Sequence, residues 1–183
     1  QTLVFQTFKA SERKQQSDMN TKLKIMTVFG TRPEVIKMAP VIRVAADNDL
    51  VEVFNCFTGQ HREMAESVMK IFDITPHCDL DVMTANQKLS RLTARLFEQL
   101  DQVVDEVKPD WVLAQGDTTS VFVASMVAHY NRKNFGHIEA GLRTGDIWNP
   151  YPEEANRIVA DHVSTLLFAP TELSRDNLIK EGV

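Results

Sequence analysis

From Leu23 onward, short β-favouring apolar runs alternate with longer stripes at helical spacing, and polar turns separate them. That alternation points to a parallel sheet covered by helices on both faces, because each parallel connection needs a crossover and the crossovers here are helical. Leu23–Phe29 reads as the first strand and ends at Gly30. Pro33 sits in the first helical turn, followed by Val35, Ile36, Met38, Ala39, Val41 and Ile42. Val51–Phe57 predicts a second strand and Arg62–Phe72 a second helix, while Asp73–Gln87, with Pro76 inside it, reads as an irregular connection. Leu89, Leu92, Leu96, Leu100, Val103 and Val107 form a helical stripe that Pro109 stops. Asp110–Gln115 is expected as the third strand, Val121–Tyr130 as a helix and Asn134–Ile138 as the fourth strand. An aromatic, proline-rich loop, Trp148–Pro152, precedes a helix over Glu153–Ser164, a fifth strand over Leu166–Ala169 and a last helix over Leu173–Lys180.

The first residues do not share this pattern. Phe5 and Phe8 are isolated, Ser11–Asp18 is wholly polar, and the chain begins with Gln. The expectation is an extension over residues 1–18 that precedes a natural start at Met19, and one Rossmann-like domain over residues 19–183. With 43% hydrophobic and 25% charged residues in 183, the chain has ordinary globular composition and enough length to bury a core. A net charge of −5 argues against a general nucleic-acid binder. No apolar run approaches the roughly 20 residues that span a bilayer, and no charged-then-apolar leader opens the chain, so a cytoplasmic protein without membrane contact is expected. Cys56 and Cys78 belong to no CxxC pair and read as two buried or idle thiols, with a disulfide left open.

In doubly wound sheets ligands bind beyond the carboxyl ends of the strands. The segments at those ends are Gly30-Thr31-Arg32, Thr58-Gly59-Gln60-His61, Gly116-Asp117-Thr118-Thr119 and Glu139-Ala140-Gly141-Leu142-Arg143. A glycine turn into a helix offers unpaired amides to an anion, and Arg32 and Lys37 add positive charge suited to a diphosphate; a tight turn with surface cations is the plainer alternative. The run is not GxGxxG, and no acid closes the second strand to hold a ribose, which disfavours a nicotinamide cofactor. Asp117 is either the N-cap of the following helix or a carboxylate for proton transfer or sugar hydroxyls. Glu139 ends an apolar strand and needs a partner, which Arg143, His137 or a ligand would supply. Glu153 and Arg157, four apart in a helix, read as a surface ion pair or as site residues. By themselves His61 and His162 read as surface or packing residues, and no spacing supports a metal site.

Taken in order, Phe29-Gly30-Thr31-Arg32-Pro33-Glu34, Ile36-Lys37-Met38-Ala39-Pro40, Gly59-Gln60-His61-Arg62, Gln115-Gly116-Asp117-Thr118-Thr119, Gly136 to Thr144 and Pro152-Glu153-Glu154-Ala155-Asn156-Arg157 are far more specific than any one of them. From Lys24 to its end the chain resembles the non-hydrolysing UDP-N-acetylglucosamine 2-epimerases. The resemblance implies interconversion of UDP-N-acetylglucosamine and UDP-N-acetylmannosamine for cell-surface polysaccharides, with neither NAD nor metal. It implies one half of a two-domain architecture like that of glycosyltransferase-B enzymes, a C-terminal UDP-binding domain beyond Val183, and a homodimer. The implied path expels UDP from C1, removes the C2 proton to give a 2-acetamidoglucal, and adds both back so that C2 inverts. By similarity Lys37, Asp117, Glu139 and Glu153 take the catalytic positions. Arg32, Arg157, Gln60, His61 and Arg143 fall among the substrate-binding ones, Gln60 and Glu153 also at the place of a second, activating substrate. Family members often carry Arg near the position of Asn86, where this chain departs. The chain alone is expected to be inactive. A hydrolysing 2-epimerase that releases N-acetylmannosamine and UDP, and a non-catalytic nucleotide-sugar-binding module, are the alternatives.

Overall fold

The computed structural model describes residues 22–84 and 86–183, so the expectations about Gln1–Asp18 and Met19 lie outside the described residues. Six parallel strands form one sheet in the order β3-β2-β1-β4-β5-β6. They are β1 (Leu23–Phe29), β2 (Val51–Phe57), β3 (Cys78–Asp79), β4 (Trp111–Gln115), β5 (Asn134–Ile138) and β6 (Leu166–Phe168). The helices are α1 (Arg32–Ala46), α2 (Arg62–Ile71), α3 (Leu89–Val107), α4 (Thr119–Tyr130), α5 (Glu153–Val163) and α6 (Glu172–Glu181). The sheet is Rossmann-like: β1 lies between β2 and β4, and the strand order reverses there, which places a crevice at the carboxyl ends of β1 and β4.

Alternation along β1 feeds two separate cores. Met26 and Val28 join Leu92, Leu96, Leu100 and Val104 of α3 and Val123 and Val127 of α4. Phe29 joins Val35, Met38 and Ile42 of α1 and Ala65, Val68 and Met69 of α2. Adjacent strand residues point to opposite faces, so one strand nucleates both layers.

One strand escaped the sequence reading. β3 falls inside the stretch expected to be irregular, and it is only two residues long, pairing Cys56 with Cys78 and Phe57 with Asp79. Two residues carry no periodicity to detect. β3 is held at its place by Arg62, whose guanidinium forks onto Asp79 at 2.6 and 2.7 Å and reaches Asp81 at 2.9 Å. Both cysteines are free, Cys56 buried and Cys78 partly so. Asn86 adopts φ 57, a left-handed conformation that Asn tolerates better than most side chains. No helix among the described residues is long and apolar enough to cross a membrane.

Candidate active site

The β1–α1 turn comes first along the crevice. A Cβ on Gly30 would lie 1.9 Å from Thr58 Oγ1, so the backbone approaches β2 as only glycine allows. Thr31 is the N-cap of α1, in a capping box with Glu34. The Glu34 carboxylate accepts from the Gly30 and Thr31 amides at 2.6 and 2.8 Å and from Thr118 Oγ1 at 2.6 Å. Two amides of this turn, those of Gly30 and Thr31, are therefore occupied by the chain's own carboxylate. Burial pushes the Glu34 carboxyl up, and the bonds from Thr118, Gly30 and Thr31 only partly offset it. Arg32, at the start of α1, is exposed.

Lys37, in the second turn of α1, crosses to the end of β5. Its ammonium donates to both Glu139 oxygens, at 2.7 and 2.6 Å. Gln115, the last residue of β4, donates from Nε2 to the same carboxylate. Its own Oε1 is buried without a hydrogen-bond partner. Glu139 has φ 73, a left-handed backbone that ends the strand alternation at this point. The partner of Glu139 is thus Lys37, not Arg143 or His137. Arg143 instead pairs with Asp161 at 2.7 Å and forks onto Glu181 at 2.8 and 2.6 Å, with its side chain 9% exposed.

Asp117 belongs to the β4–α4 turn. The N-cap role falls to Thr118, whose hydroxyl accepts from the Val121 amide, and Asp117 is left to pair with Arg157. Asn156 fixes the same turn by donating to the Asp117 carbonyl at 2.9 Å. Arg157 is 9% exposed and also lies 3.3 Å from Glu154, which is 1% exposed. The i,i+4 pair of Glu153 with Arg157 is not formed: Arg157 turns inward, and Glu153 stands half-buried at the first residue of α5. Glu154 accepts from the Thr144 and Gly145 amides at 2.9 and 3.1 Å and so anchors the loop before α5.

Gln60 and His61 lie on the same edge, one strand over. Ser120 Oγ donates to Gln60 Oε1 at 2.9 Å, and the His61 amide donates to the Gly30 carbonyl at 2.8 Å while its ring is exposed. A depression of about 220 Å³ is lined by Lys37, Gln115, Asp117 and Glu139. The structure thus assembles two carboxylates, each bound to its own cation, around one crevice. Four contributors, Glu34, Gln115, Glu154 and Asp161, were not singled out from sequence. Gln115 carried the signal that exposed Glu139, a polar residue at the end of an apolar strand. Glu154 stood beside Glu153 in a first turn, where acids have a dipole explanation.

Such a site can bind an anion at Lys37 and release Glu139 as a base in the same event, because ligand and carboxylate compete for one ammonium. Comparisons with known proteins place the chain in a family. The sequence profile of the family described as "UDP-N-acetylglucosamine 2-epimerase" matches residues 43–183. The UDP-N-acetylglucosamine 2-epimerase of Yersinia pestis is 50% identical over 161 residues, which take in 88% of this chain and 43% of that protein. The crystal structure of the Neisseria meningitidis UDP-GlcNAc 2-epimerase bound to UDP-GlcNAc matches with a TM-score of 0.85 at 47% identity, covering 87% of this chain and 43% of that one. The Methanocaldococcus jannaschii UDP-GlcNAc 2-epimerase in complex with UDP-GlcNAc and UDP gives a TM-score of 0.82 at 33% identity, over 87% of this chain and 44% of that one. The chain spans less than half the length of these relatives, and within that span the fold, the sequence identity and the family profile coincide: it belongs to the UDP-N-acetylglucosamine 2-epimerase family.

Proposed function

We propose that this chain forms the N-terminal wall of a cleft in which UDP-N-acetylglucosamine and UDP-N-acetylmannosamine interconvert. The observation that carries the reading is the convergence of the Lys37–Glu139 and Arg157–Asp117 pairs, with Glu153 close along α5, at the reversal point of the sheet. An intact sugar holds its C2 hydrogen too tightly for direct removal. Breaking the C1–O bond to UDP first places positive charge on C1 and the ring oxygen, and that acidifies C2–H. Loss of the proton closes a C1=C2 double bond, and re-addition of proton and UDP with C2 inverted completes the exchange. No step of this path oxidises or reduces the sugar, so no hydride carrier takes part. Arg32 and Lys37 are placed to meet the departing diphosphate, while Asp117, Glu139 and Glu153 are the groups that move protons and shield the cationic centre.

Lys37 couples the two halves of the reaction. Diphosphate at its ammonium weakens the hold on Glu139, so the carboxylate becomes a competent base as the leaving group arrives. Gln60 and Glu153 fit a second, activating substrate molecule, and Arg157 orients Asp117 toward the sugar. The remaining length of the relatives corresponds to a second domain that grips UDP, and the intact enzyme is a cytoplasmic homodimer under this reading.

A proton NMR time course with UDP-N-acetylglucosamine in deuterated buffer tests it. With the chain extended to the full length of its relatives, epimer carrying deuterium at C2 is expected. Free N-acetylmannosamine with UDP would replace the reading by a hydrolysing enzyme. No exchange and no binding would leave only a nucleotide-sugar fold without the reaction. The chain by itself is expected to show no C2 exchange, because one wall of the cleft and the main nucleotide grip are lacking.

A further inference from the structure

Beneath the crevice, α5 sends a carboxylate between the turns that carry the reacting acids. Asp161 is fully buried. Its Oδ1 lies 2.6 Å from His137 Nδ1, and its Oδ2 accepts from the Gly141 amide at 3.1 Å and pairs with Arg143 at 2.7 Å. His137, also fully buried, reaches the Gly116 carbonyl with Nε2 at 2.7 Å. A carbonyl and a carboxylate are acceptors, so a ring bonded to both must donate from both nitrogens, which only the imidazolium does. The alternative, a protonated Asp161 donating from Oδ1 to a neutral ring, is opposed by the Arg143 guanidinium 2.7 Å from Oδ2, which favours the ionised carboxylate. Burial pushes the Asp161 carboxyl up, but His137 and Arg143 together outweigh it and hold it below the usual carboxylate range. Charge balances across the cluster, because Glu181 of α6 takes the outer side of Arg143.

We propose that Asp161 is a positioning residue that, through His137 held as an imidazolium, fixes the two turns presenting Asp117 and Glu139. Gly116 precedes Asp117, and its backbone, at φ 90, is held by the imidazolium. Gly141 follows Glu139 by two residues, and Glu139 itself occupies a left-handed conformation that a non-glycine residue keeps only when its surroundings over-determine it. One buried anion on α5 therefore sets the separation of both acids from Glu153 and Arg157 on the same helix. The inference rests on the epimerase reading for what those acids do, not for how they are held.

The test is ¹⁵N and ¹H NMR of the His137 ring in the ligand-free chain, with Asp161→Asn as the variant. The wild-type ring is expected to show two protonated nitrogens with slowly exchanging protons. In Asp161→Asn the ring is expected to lose one of these protons, and the Gly116, Asp117 and Glu139 amide signals to move together with those of Gly141, Arg143 and α6, while strands β1, β2 and β3 stay in place. A purely structural Asp161 would lower the melting temperature without touching those signals. An unprotonated nitrogen on the wild-type ring overturns the proposal, as does a variant whose ring and turn signals are unmoved. The wild-type spectrum decides the matter even where Asp161→Asn does not fold. Failure of UDP-N-acetylglucosamine to bind the chain extended to the full length of its relatives would strike the epimerase reading and leave this spectrum unchanged.

Discussion

At Glu34 two effects oppose one another, and burial prevails over three hydrogen bonds in setting the carboxyl above its ordinary range. A group whose folded value is raised contributes stability that is complete below its unfolded value, near pH 4, and is lost as pH rises through the folded value. Glu34→Gln keeps an oxygen for the Gly30 and Thr31 amides, offers an N–H to the Thr118 hydroxyl and removes the desolvated charge. The variant should be more stable than the parent at about pH 8, with the gap closing toward pH 4; urea unfolding across that range checks it. Arg157 is the opposite case, a buried cation between Glu154 and Asp117. Arg157→Met strands both acids and should cost about 3 kcal/mol, read as a lower urea midpoint. Glu139 was legible in sequence because a charge at the end of an apolar strand demands a partner, and Asp117 because it follows a strand at the sheet edge. Their partners were not, since short spacing nominated Arg143 or His137 for Glu139 and paired Arg157 with Glu153. The actual cations lie 102 and 40 positions away, where sequence spacing carries no geometric information.

Among the elements, legibility followed length. The α3 stripe, Leu92, Leu96 and Leu100, declares both a helix and its buried face, whereas β3 has two residues and depends on Arg62 rather than on its own pattern. The packing of α6 against the β5–α5 loop was equally hidden, although one glycine marks it. A Cβ on Gly141 would lie 2.2 Å from the Ser174 carbonyl oxygen, at φ 82, while one on Gly145, at φ 79, would meet nothing within 4 Å. The two substitutions separate backbone strain from collision. Gly145→Ala should cost about 1 kcal/mol. Gly141→Ala should cost roughly 3 kcal/mol or more, because backbone rather than a movable side chain blocks it. Equal losses in thermal unfolding would mean that α6 shifts freely and does not hold the loop.

Across the whole molecule, the apolar core lies under the central strands and the ion pairs pin both margins of the sheet. At one margin Arg62 holds Asp79 of β3, and its hydrogen bond draws that carboxyl below the usual range despite partial burial. At the other, Arg143 joins Asp161 of α5 to Glu181 of α6; the Arg143 bond lowers Glu181, and Asp161 is lowered against its own burial by His137 and Arg143. A depressed carboxyl contributes stability that is present above its unfolded value, about pH 4, and is lost as pH falls through the folded value. Acid should therefore remove the pins before it removes the core, which contains no titrating contact between β1 and α3 or α4. Hydrogen exchange at about pH 3 is expected to show protection failing first in β3 and α6 while β1 and β4 stay closed. Asp161→Asn should weaken α6 already at neutral pH and blunt its further loss in acid. Simultaneous opening of all strands would mean that the margins and the core form one cooperative unit, with the ion pairs as ornaments of a fold that the apolar layers alone decide.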